Sequence, residues 1–246
     1  MVAGLSAAAL AGQAPSQPSR FAEAGVTGTF ALLRGTGATL YAVEPERAAR
    51  RFVPASTFKI ANALIALETG VVTDVDEVIP YGGRPQPVKA WEKDASIRQA
   101  MPISAVPIFQ ELARRIGLKR YAEWLARLDY GNRETGDVVD RFWLDGPLAI
   151  SAQEQARFLH RLALGALPVS ERARTMVRDV LRLEASGDAT LYGKTGWAQK
   201  IGWLAGWVER GADVSAFALN IDMPRLEMAP LRLEIAKRLL KDQGVY

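Results

Sequence analysis

The chain has 246 residues, of which 49% are hydrophobic and 24% charged, a balance typical of a globular protein with a full-sized core. It contains no cysteine and a single histidine, His160, which excludes a cysteine nucleophile, disulfide bonds and zinc sites built from Cys and His. A hydrolase of the Ser-His-Asp type would depend on His160 alone, so nucleophilic chemistry in this chain is expected to use another base.

The formal charge of +4 comes from 31 Lys and Arg against 27 Asp and Glu. The densest basic stretches, 47–51 and 114–120, alternate with apolar residues, which is typical of solvated helix faces, so nucleic acid is not the expected partner. No apolar run of about 20 residues is present, so no transmembrane segment is predicted. Residues 2–10 are small and apolar and precede the polar segment 15–19, as in the second half of a secretory signal with a cleavage region near Ala14, although the basic first part is missing. We therefore expect residues 1–20 to be a leader remnant or a disordered tail, and the mature protein to be periplasmic or secreted.

The remaining residues predict strands, then helices, then strands, then a final helix. Two β-prone stretches, 26–33 and 38–43, flank the hairpin-like turn 34–37. Residues 54–183 are mainly helical by apolar spacing, with the best helix ending at Gly70. The other predicted elements are helices at 107–116, 121–128, 152–164, 170–183 and 230–242, and strands at 190–197, 201–209 and 214–222.

This order of elements predicts an α/β protein of the α+β type. The N- and C-terminal strands would form one antiparallel sheet, with a helical lobe at about 54–185 inserted in a single domain that spans 21–246. A cleft between the two lobes is the expected place for a small-molecule site.

The first chemical motif is Ser56-Thr57-Phe58-Lys59 at the start of the best helix. A lysine three residues after a serine lies on the same helix face and, if uncharged, can take the serine proton. Alternatively, Ser56 is a helix cap and Lys59 a surface residue. The apolar neighbours of Lys59 favour a function.

The second motif is Lys194-Thr195-Gly196 within a predicted strand. Alternation places Lys194 and Gly196 on one face, where Lys194 can meet an anionic group and Gly196 allows a close approach.

Three further segments have plain structural interpretations when taken singly. Tyr130-Gly131-Asn132 suits a turn, Ser104-Ala105-Val106 is a short loop, and the segment 142–151 contains Trp143, which suits a loop with a buried tryptophan.

Taken together, these motifs follow one another in the order and approximate spacing of the class D, or oxacillinase-type, serine β-lactamases, which the chain resembles from residue 21 onward. The resemblance implies a β-lactamase/transpeptidase-like fold and hydrolysis of β-lactam antibiotics through an acyl-enzyme. It implies no metal and no bound cofactor, apart from CO₂ or bicarbonate to carboxylate a lysine.

The resemblance also assigns the roles in catalysis. Ser56 would be the nucleophile and Lys59, as N6-carboxylysine, the general base. Trp143 would hold the carbamate, and Phe58 and Val106 would desolvate the lysine so that its amine is neutral. Ser104 would relay a proton to the leaving nitrogen. The residues expected to bind substrate are Val106, Tyr130, Lys194, Thr195, Gly196, Trp197 and Arg232, with the backbone N–H groups of Ser56 and Trp197 as the oxyanion hole.

Two rivals share the serine motif. A β-lactam sensor domain would be acylated once without turnover, and a penicillin-binding transpeptidase or carboxypeptidase would act on peptides. Class A β-lactamases differ because they carry Ser-Asp-Asn and a deacylating Glu, where this chain has Ser104-Ala105-Val106; Asp145 is expected to be an ordinary loop residue. Both a monomer and a homodimer fit the sequence.

Overall fold

The computed structural model describes residues 19–35 and 39–246, and they form one antiparallel sheet flanked by helices. Residues 1–18 of the predicted leader and residues 36–37 of the predicted turn at 34–37 lie outside these residues. The sheet has the strand order β2-β1-β6-β5-β4-β3, so the N-terminal strands pair with the last strand of the sequence. The strands are β1 (Gly28–Arg34), β2 (Thr39–Val43), β3 (Arg182–Ser186), β4 (Ala189–Ala198), β5 (Ile201–Arg210) and β6 (Asp213–Asp222).

Most of the helices lie between β2 and β3 in the chain, which confirms the predicted α+β order. The helices are α1 (Arg20–Glu23), α2 (Pro45–Ala49), α3 (Lys59–Glu68), α4 (Ile97–Ile103), α5 (Val106–Ile116), α6 (Leu118–Leu128), α7 (Ala152–Ala163), α8 (Glu171–Val180) and α9 (Ala229–Asp242). Short 3-10 turns occupy Ala55–Phe58, Lys89–Trp91 and Leu226–Met228. Among the residues described, no helix is both long and apolar enough to cross a membrane.

The sheet separates two apolar cores. The larger core lies between one face of the sheet and the inserted helices, and it includes most of α3, which is buried from Lys59 to Ala66. The smaller core lies on the other face, under α1 and α9. Because α3 is surrounded by other elements, the residues at its first turn are held in place from several sides.

One predicted helix is wrong over its last part. The spacing predicts a helix through 170–183, but α8 ends at Val180 and the chain then pairs with β4 as the edge strand β3. The sequence around Leu181 suits either structure, and the unpaired edge of β4 decides in favour of a strand because its backbone groups need partners. The short helices α2 and α4 were not predicted either.

Candidate active site

The serine and lysine of the first motif meet at the start of α3. The 3-10 turn Ala55–Phe58 continues directly into α3, which places Lys59 one turn after Ser56. The Nζ atom of Lys59 lies 2.7 Å from Oγ of Ser56, within hydrogen-bond distance. Both residues are buried, and Lys59 is 0% exposed. Neither is therefore the helix cap or surface residue of the alternative interpretation.

The surroundings of Lys59 favour its uncharged form. Burial lowers the pKa of Lys59 well below its ordinary value, and the positive charge of Lys194 lowers this pKa further. The fully buried ring of Phe109 lies 5.3 Å from the Lys59 nitrogen. A neutral amine beside a hydroxyl can accept its proton, so this pair has the geometry of a nucleophile and its base.

A second serine and lysine pair brings two separate motifs together. Ser104 ends α4 in a left-handed conformation with φ of 58°, and its Oγ lies 3.0 Å from Nζ of Lys194 on β4. Lys194 also donates to the carbonyl oxygen of Thr195, at 3.1 Å. Burial lowers the pKa of Lys194 to about 7, with a smaller contribution from the charge of Arg232. Ser104 therefore lies beside an amine, that of Lys194, which can take up or release a proton near neutral pH.

Gly196 brings strand β4 against the serine turn. A Cβ atom at Gly196 would lie 3.0 Å from the carbonyl oxygen of Pro54 and 3.2 Å from the backbone nitrogen of Ser56. A side chain would therefore separate the strand from the nucleophile, which explains the glycine.

The exposed Trp197 and the half-buried Arg232 of α9 form a positively charged margin of the site beside Gly196. Trp197 is 41% exposed and its indole N–H donates to the carbonyl oxygen of Met223, at 2.8 Å. The guanidinium of Arg232 donates to the carbonyl oxygens of Gly196 (2.8 Å) and Ala229 (3.0 Å), and it forms no ion pair with another described residue. Burial lowers the pKa of Arg232. Its charge is thus available to an anionic group.

Trp143 packs against the residue that precedes the base and has an unused hydrogen-bond donor. Its side chain is 0% exposed and stacks on Phe58, the residue before Lys59, with ring centroids 5.5 Å apart. The indole N–H of Trp143 has no acceptor among the described residues. A buried donor without a partner costs free energy, so the site is suited to an acceptor that binds there.

The Tyr-Gly-Asn motif braces the segment that follows Trp143. The side-chain amide of Asn132 donates to the carbonyl oxygen of Pro147 at 2.8 Å and accepts from the backbone of Ala149 at 2.9 Å. Gly131 has φ of 54°, and a Cβ atom there would lie 2.2 Å from the Ala149 carbonyl oxygen. The motif therefore fixes the loop that positions Trp143.

Tyr130 itself lies behind the site. Its side chain is 0% exposed and packs against Phe58 and Phe158, with ring centroids 5.6 Å and 5.1 Å away. This burial gives no support to the substrate contact predicted for Tyr130, and its place is that of a packing residue. Val106 lies at the first turn of α5, two residues after Ser104, and is half-buried.

His160 and Asp145 take no part in this arrangement of residues. A ring nitrogen of His160 lies 2.6 Å from the carbonyl oxygen of Gly35, at the end of β1. Asp145 forms an ion pair with Arg141, four residues before it, and half of its side chain is exposed. In the described ranges, no cluster of His, Asp and Glu is arranged to hold a metal ion.

Two large surface cavities of the protein lie away from this site. A cavity of about 650 Å³ is lined by residues of α1, β1 and α2, and another of about 570 Å³ by residues near Tyr81 and Arg141; neither contains a predicted site residue. The site is identified by its chemistry instead: a buried Ser-Lys pair, a Ser-Lys relay and an arginine that can bind an anion.

Sequence patterns did not single out two residues next to the nucleophile. Ala55 has φ of 51°, and the indole N–H of Trp203, on β5, donates to the carbonyl oxygen of Val53 at 3.0 Å. No local signal could have found the contact of Trp203, since Trp203 and Val53 are 150 residues apart in the chain, and an alanine in itself gives no sign of a left-handed backbone.

A fold with this serine turn packed on an antiparallel sheet defines the penicillin-binding transpeptidase and serine β-lactamase class. A family model described as the penicillin binding protein transpeptidase domain matches residues 8–242. The chain is 36% identical to the β-lactamase OXA-10 of Pseudomonas aeruginosa over 100% of this chain and 96% of that protein. It is 44% identical to OXA-48 of Klebsiella pneumoniae over 81% of this chain and 77% of that protein.

Similar solved structures indicate which class of serine β-lactamase the chain resembles. FUS-1 (OXA-85), a class D β-lactamase from Fusobacterium nucleatum, matches with a TM-score of 0.88 and 40% identity over 92% of this chain and 96% of its own. The class D β-lactamase YbXI from Nostoc matches with a TM-score of 0.88 and 37% identity over 92% of this chain and 98% of its own. The protein belongs to the class D serine β-lactamases.

Proposed function

We propose that this protein hydrolyses the β-lactam ring of penicillin-type antibiotics through an acyl-enzyme on Ser56, and so confers resistance. The observation that carries the proposal is the 2.7 Å contact between Oγ of Ser56 and the buried Nζ of Lys59. The pair supplies a nucleophile and a base without histidine, in a chain whose relatives are named β-lactamases.

Acylation follows from the positions of the two Ser-Lys pairs. Oγ of Ser56 attacks the lactam carbonyl carbon while its proton passes to the Lys59 side chain. The carbon–nitrogen bond of the ring then breaks, and the ring nitrogen takes a proton through Ser104, which lies 3.0 Å from Nζ of Lys194. Water subsequently attacks the ester, which releases the opened product and restores the Ser56 hydroxyl.

The substrate carboxylate is the anion that fits the charged margin of the site. Lys194 and Arg232 are both cations that burial deprives of water, and burial lowers the pKa of each. An anion placed between them restores favourable electrostatics, and the guanidinium offers a bidentate contact. We assign Thr195, Gly196 and Trp197 to the wall beside this carboxylate, with the backbone N–H groups of Ser56 and Trp197 as the oxyanion hole.

The residues around Lys59 fit a carbamate formed with CO₂. Carboxylation needs a neutral amine, which burial of Lys59 favours, and the product needs a hydrogen-bond donor, which the unpartnered buried N–H of Trp143 supplies. The buried rings of Phe58, the residue before the lysine, and Phe109 contribute apolar surface there, and we assign the half-buried Val106 to the same apolar surroundings. When bound, CO₂ would provide a carboxylate base at this position.

Turnover counting separates the enzyme from its rivals. The purified protein is mixed with nitrocefin, with and without bicarbonate, and the product is counted per protein molecule. Sustained turnover that increases with bicarbonate is expected. A single stoichiometric burst would instead indicate a sensor, and turnover indifferent to CO₂ removal would refute the carbamate.

Two variants serve as controls for the roles of the first motif. Ser56→Ala is expected to abolish acylation, which mass spectrometry reports as the absence of a covalent adduct. Lys59→Ala is expected to lose deacylation, and added bicarbonate should not restore it because no amine remains to carboxylate. Restoration by bicarbonate would contradict the assignment of Lys59.

We further infer that the enzyme acts in the periplasm or outside the cell, which the signal-like residues 2–14 support. Fractionation of expressing cells tests this: activity should be found in the periplasmic or extracellular fraction, and N-terminal sequencing of the protein there should reveal cleavage near Ala14. Activity confined to the cytoplasmic fraction would contradict the inference.

A further inference from the structure

The residue before the nucleophile has a strained backbone. Ala55 has φ of 51°, in the left-handed region that disfavours any residue with a Cβ atom, and it is fully buried. Such a conformation persists only when contacts on both sides hold the chain in it. The position of Ser56 therefore depends on whatever fixes the residues from 52 to 57.

The later half of this turn is fixed locally. The backbone N–H and the hydroxyl of Thr57 both donate to the carbonyl oxygen of Pro54, at 3.2 Å and 2.7 Å. These bonds close the turn on itself, but they do not attach it to the rest of the protein.

The earlier half is attached to other parts of the chain by hydrogen bonds at two residues. Phe52 forms a β-bridge with Ile150, with hydrogen bonds of 3.0 Å and 2.9 Å. The carbonyl oxygen of Val53, the next residue, accepts from the indole N–H of Trp203 at 3.0 Å, and the described residues provide no other donor to it. The bond from Trp203 is thus the last hydrogen bond to a distant part of the chain before the strained residue, Ala55.

The indole of Trp203 is held rigidly. It is fully buried and packs edge-on against the Phe52 ring, with centroids 6.4 Å apart and planes at 78°. In the sheet, Trp203 lies directly opposite Gly196, whose missing side chain lets β4 approach the Ser56 nitrogen. Paired residues of β4 and β5 therefore both hold the serine turn: Gly196 lets the strand pack closely against it, and Trp203 forms a hydrogen bond to Val53.

We propose that Trp203 is a positioning residue for the nucleophile, whose indole N–H holds the Val53 carbonyl so that Ala55 keeps its left-handed conformation and Ser56 stays aligned with Lys59. This inference rests on the proposed function, because alignment matters only if Ser56 is acylated. It assigns to Trp203 no contact with substrate.

The test compares two buried tryptophans of the same strand. Trp203→Phe removes the N–H to Val53, whereas the matched control Trp207→Phe removes an equally buried N–H that donates to Glu209 at 2.9 Å. Acylation is measured as the pre-steady-state burst with nitrocefin, in bicarbonate, and thermal midpoints are recorded for both. We expect Trp203→Phe to slow acylation about tenfold with little change in substrate affinity, and Trp207→Phe to leave the burst rate unchanged.

A double-mutant cycle with Ala55→Gly distinguishes positioning from general destabilisation. Glycine adopts the left-handed conformation without a Cβ penalty, so the turn then needs less support. In the Ala55→Gly background, we expect Trp203→Phe to slow acylation by about threefold or less. The difference from tenfold is the coupling between the two positions, and it shows that Trp203 acts through the backbone at Ala55. Because Trp203→Phe could impair folding, 3-benzothienylalanine at position 203, which keeps the shape and lacks the N–H, gives a second measurement.

Either of two results would overturn the inference: an equal burst rate in the Trp203 and Trp207 variants, or an undiminished Trp203→Phe effect beside glycine at 55. Failure of the proposed function would look different, since the unsubstituted protein would then show a single stoichiometric burst without turnover, or no covalent adduct with nitrocefin at all.

Discussion

Replacing Trp143 by Phe removes a buried indole N–H that has no acceptor among the described residues. Phe keeps an aromatic ring against Phe58, where the tryptophan ring stacks at 5.5 Å, but it cannot donate a hydrogen bond. In the protein without CO₂ the N–H is an unsatisfied donor, and beside a carbamate it would form a bond to a charged acceptor. The substitution should therefore weaken carbamate formation specifically.

The size of the effect follows from the burial of this group. A hydrogen bond to a charged partner contributes about 1.5 to 3 kcal/mol, and the side chain of Trp143 is 0% exposed, so water cannot replace the lost donor. Since each 1.4 kcal/mol is a factor of about ten, the affinity of Lys59 for CO₂ should fall by about tenfold to a hundredfold.

The assay is a bicarbonate titration at fixed pH. The concentration that half-restores turnover of nitrocefin is measured after CO₂ has been removed, and the carbamate is observed directly by ¹³C NMR with labelled bicarbonate. Trp124→Phe is the matched control, because this tryptophan of α6 is 7% exposed and its ring lies under Arg127, outside the site. It should titrate like the unsubstituted protein. An unchanged bicarbonate requirement in Trp143→Phe would refute the role of the indole.

Three further predictions concern the parts that hold the site. In bicarbonate-free buffer, Lys194 should add about 2 kcal/mol to the free energy of unfolding between pH 7 and pH 9, because the unfolded lysine still binds the proton that folded Lys194, with its pKa lowered to about 7, has released. The pKa of Lys59 is lowered as well and adds to the same rise, so Lys194→Met should lose only the Lys194 part of the slope in urea titrations. Gly196→Ala should slow acylation by about tenfold or more, since its Cβ would lie 3.2 Å from the Ser56 nitrogen. Gly187→Ala is the control: the space around Gly187 is open, so this variant should lower the free energy of unfolding and leave the acylation rate unchanged. Asn132→Ala removes two hydrogen bonds to the segment after Trp143 and should lower the free energy of unfolding by about 1 to 3 kcal/mol while raising the bicarbonate requirement; an unchanged requirement would show that the brace does not reach Trp143.

The local parts of the fold were predictable because their signals are local. The apolar spacing of 58–67 and the stop at Gly70 correspond to α3, and the predicted strands 190–197, 201–209 and 214–222 correspond to β4, β5 and β6 within two residues at each end. The edge strand β3 was missed, because its residues pair only where the neighbouring strand offers unsatisfied backbone groups. Residue preferences of a five-residue strand carry little information about such a neighbour.

The candidate site divides in the same way. The contact of Ser56 with Lys59 follows from their spacing of three residues at a helix start, and the motif order identified the family. The contact of Lys194 with Ser104 joins residues 90 apart in the chain, and it depends on how the sheet meets the helical lobe. The packing position of Tyr130 likewise depends on Phe58 and Phe158, which approach it from different helices.

The sequence by itself narrowed the chemistry that is possible: without cysteine, and with a single histidine, a base other than histidine was expected, and a lysine three positions after a serine was available. Only the tertiary structure decided that this lysine is suited to the role. Its pKa is lowered because elements distant in the chain, including Phe109 of α5, bury its nitrogen, and because the charge of Lys194 on β4 lies nearby. Desolvation depends on every neighbour at once, and no spacing within the chain records those neighbours.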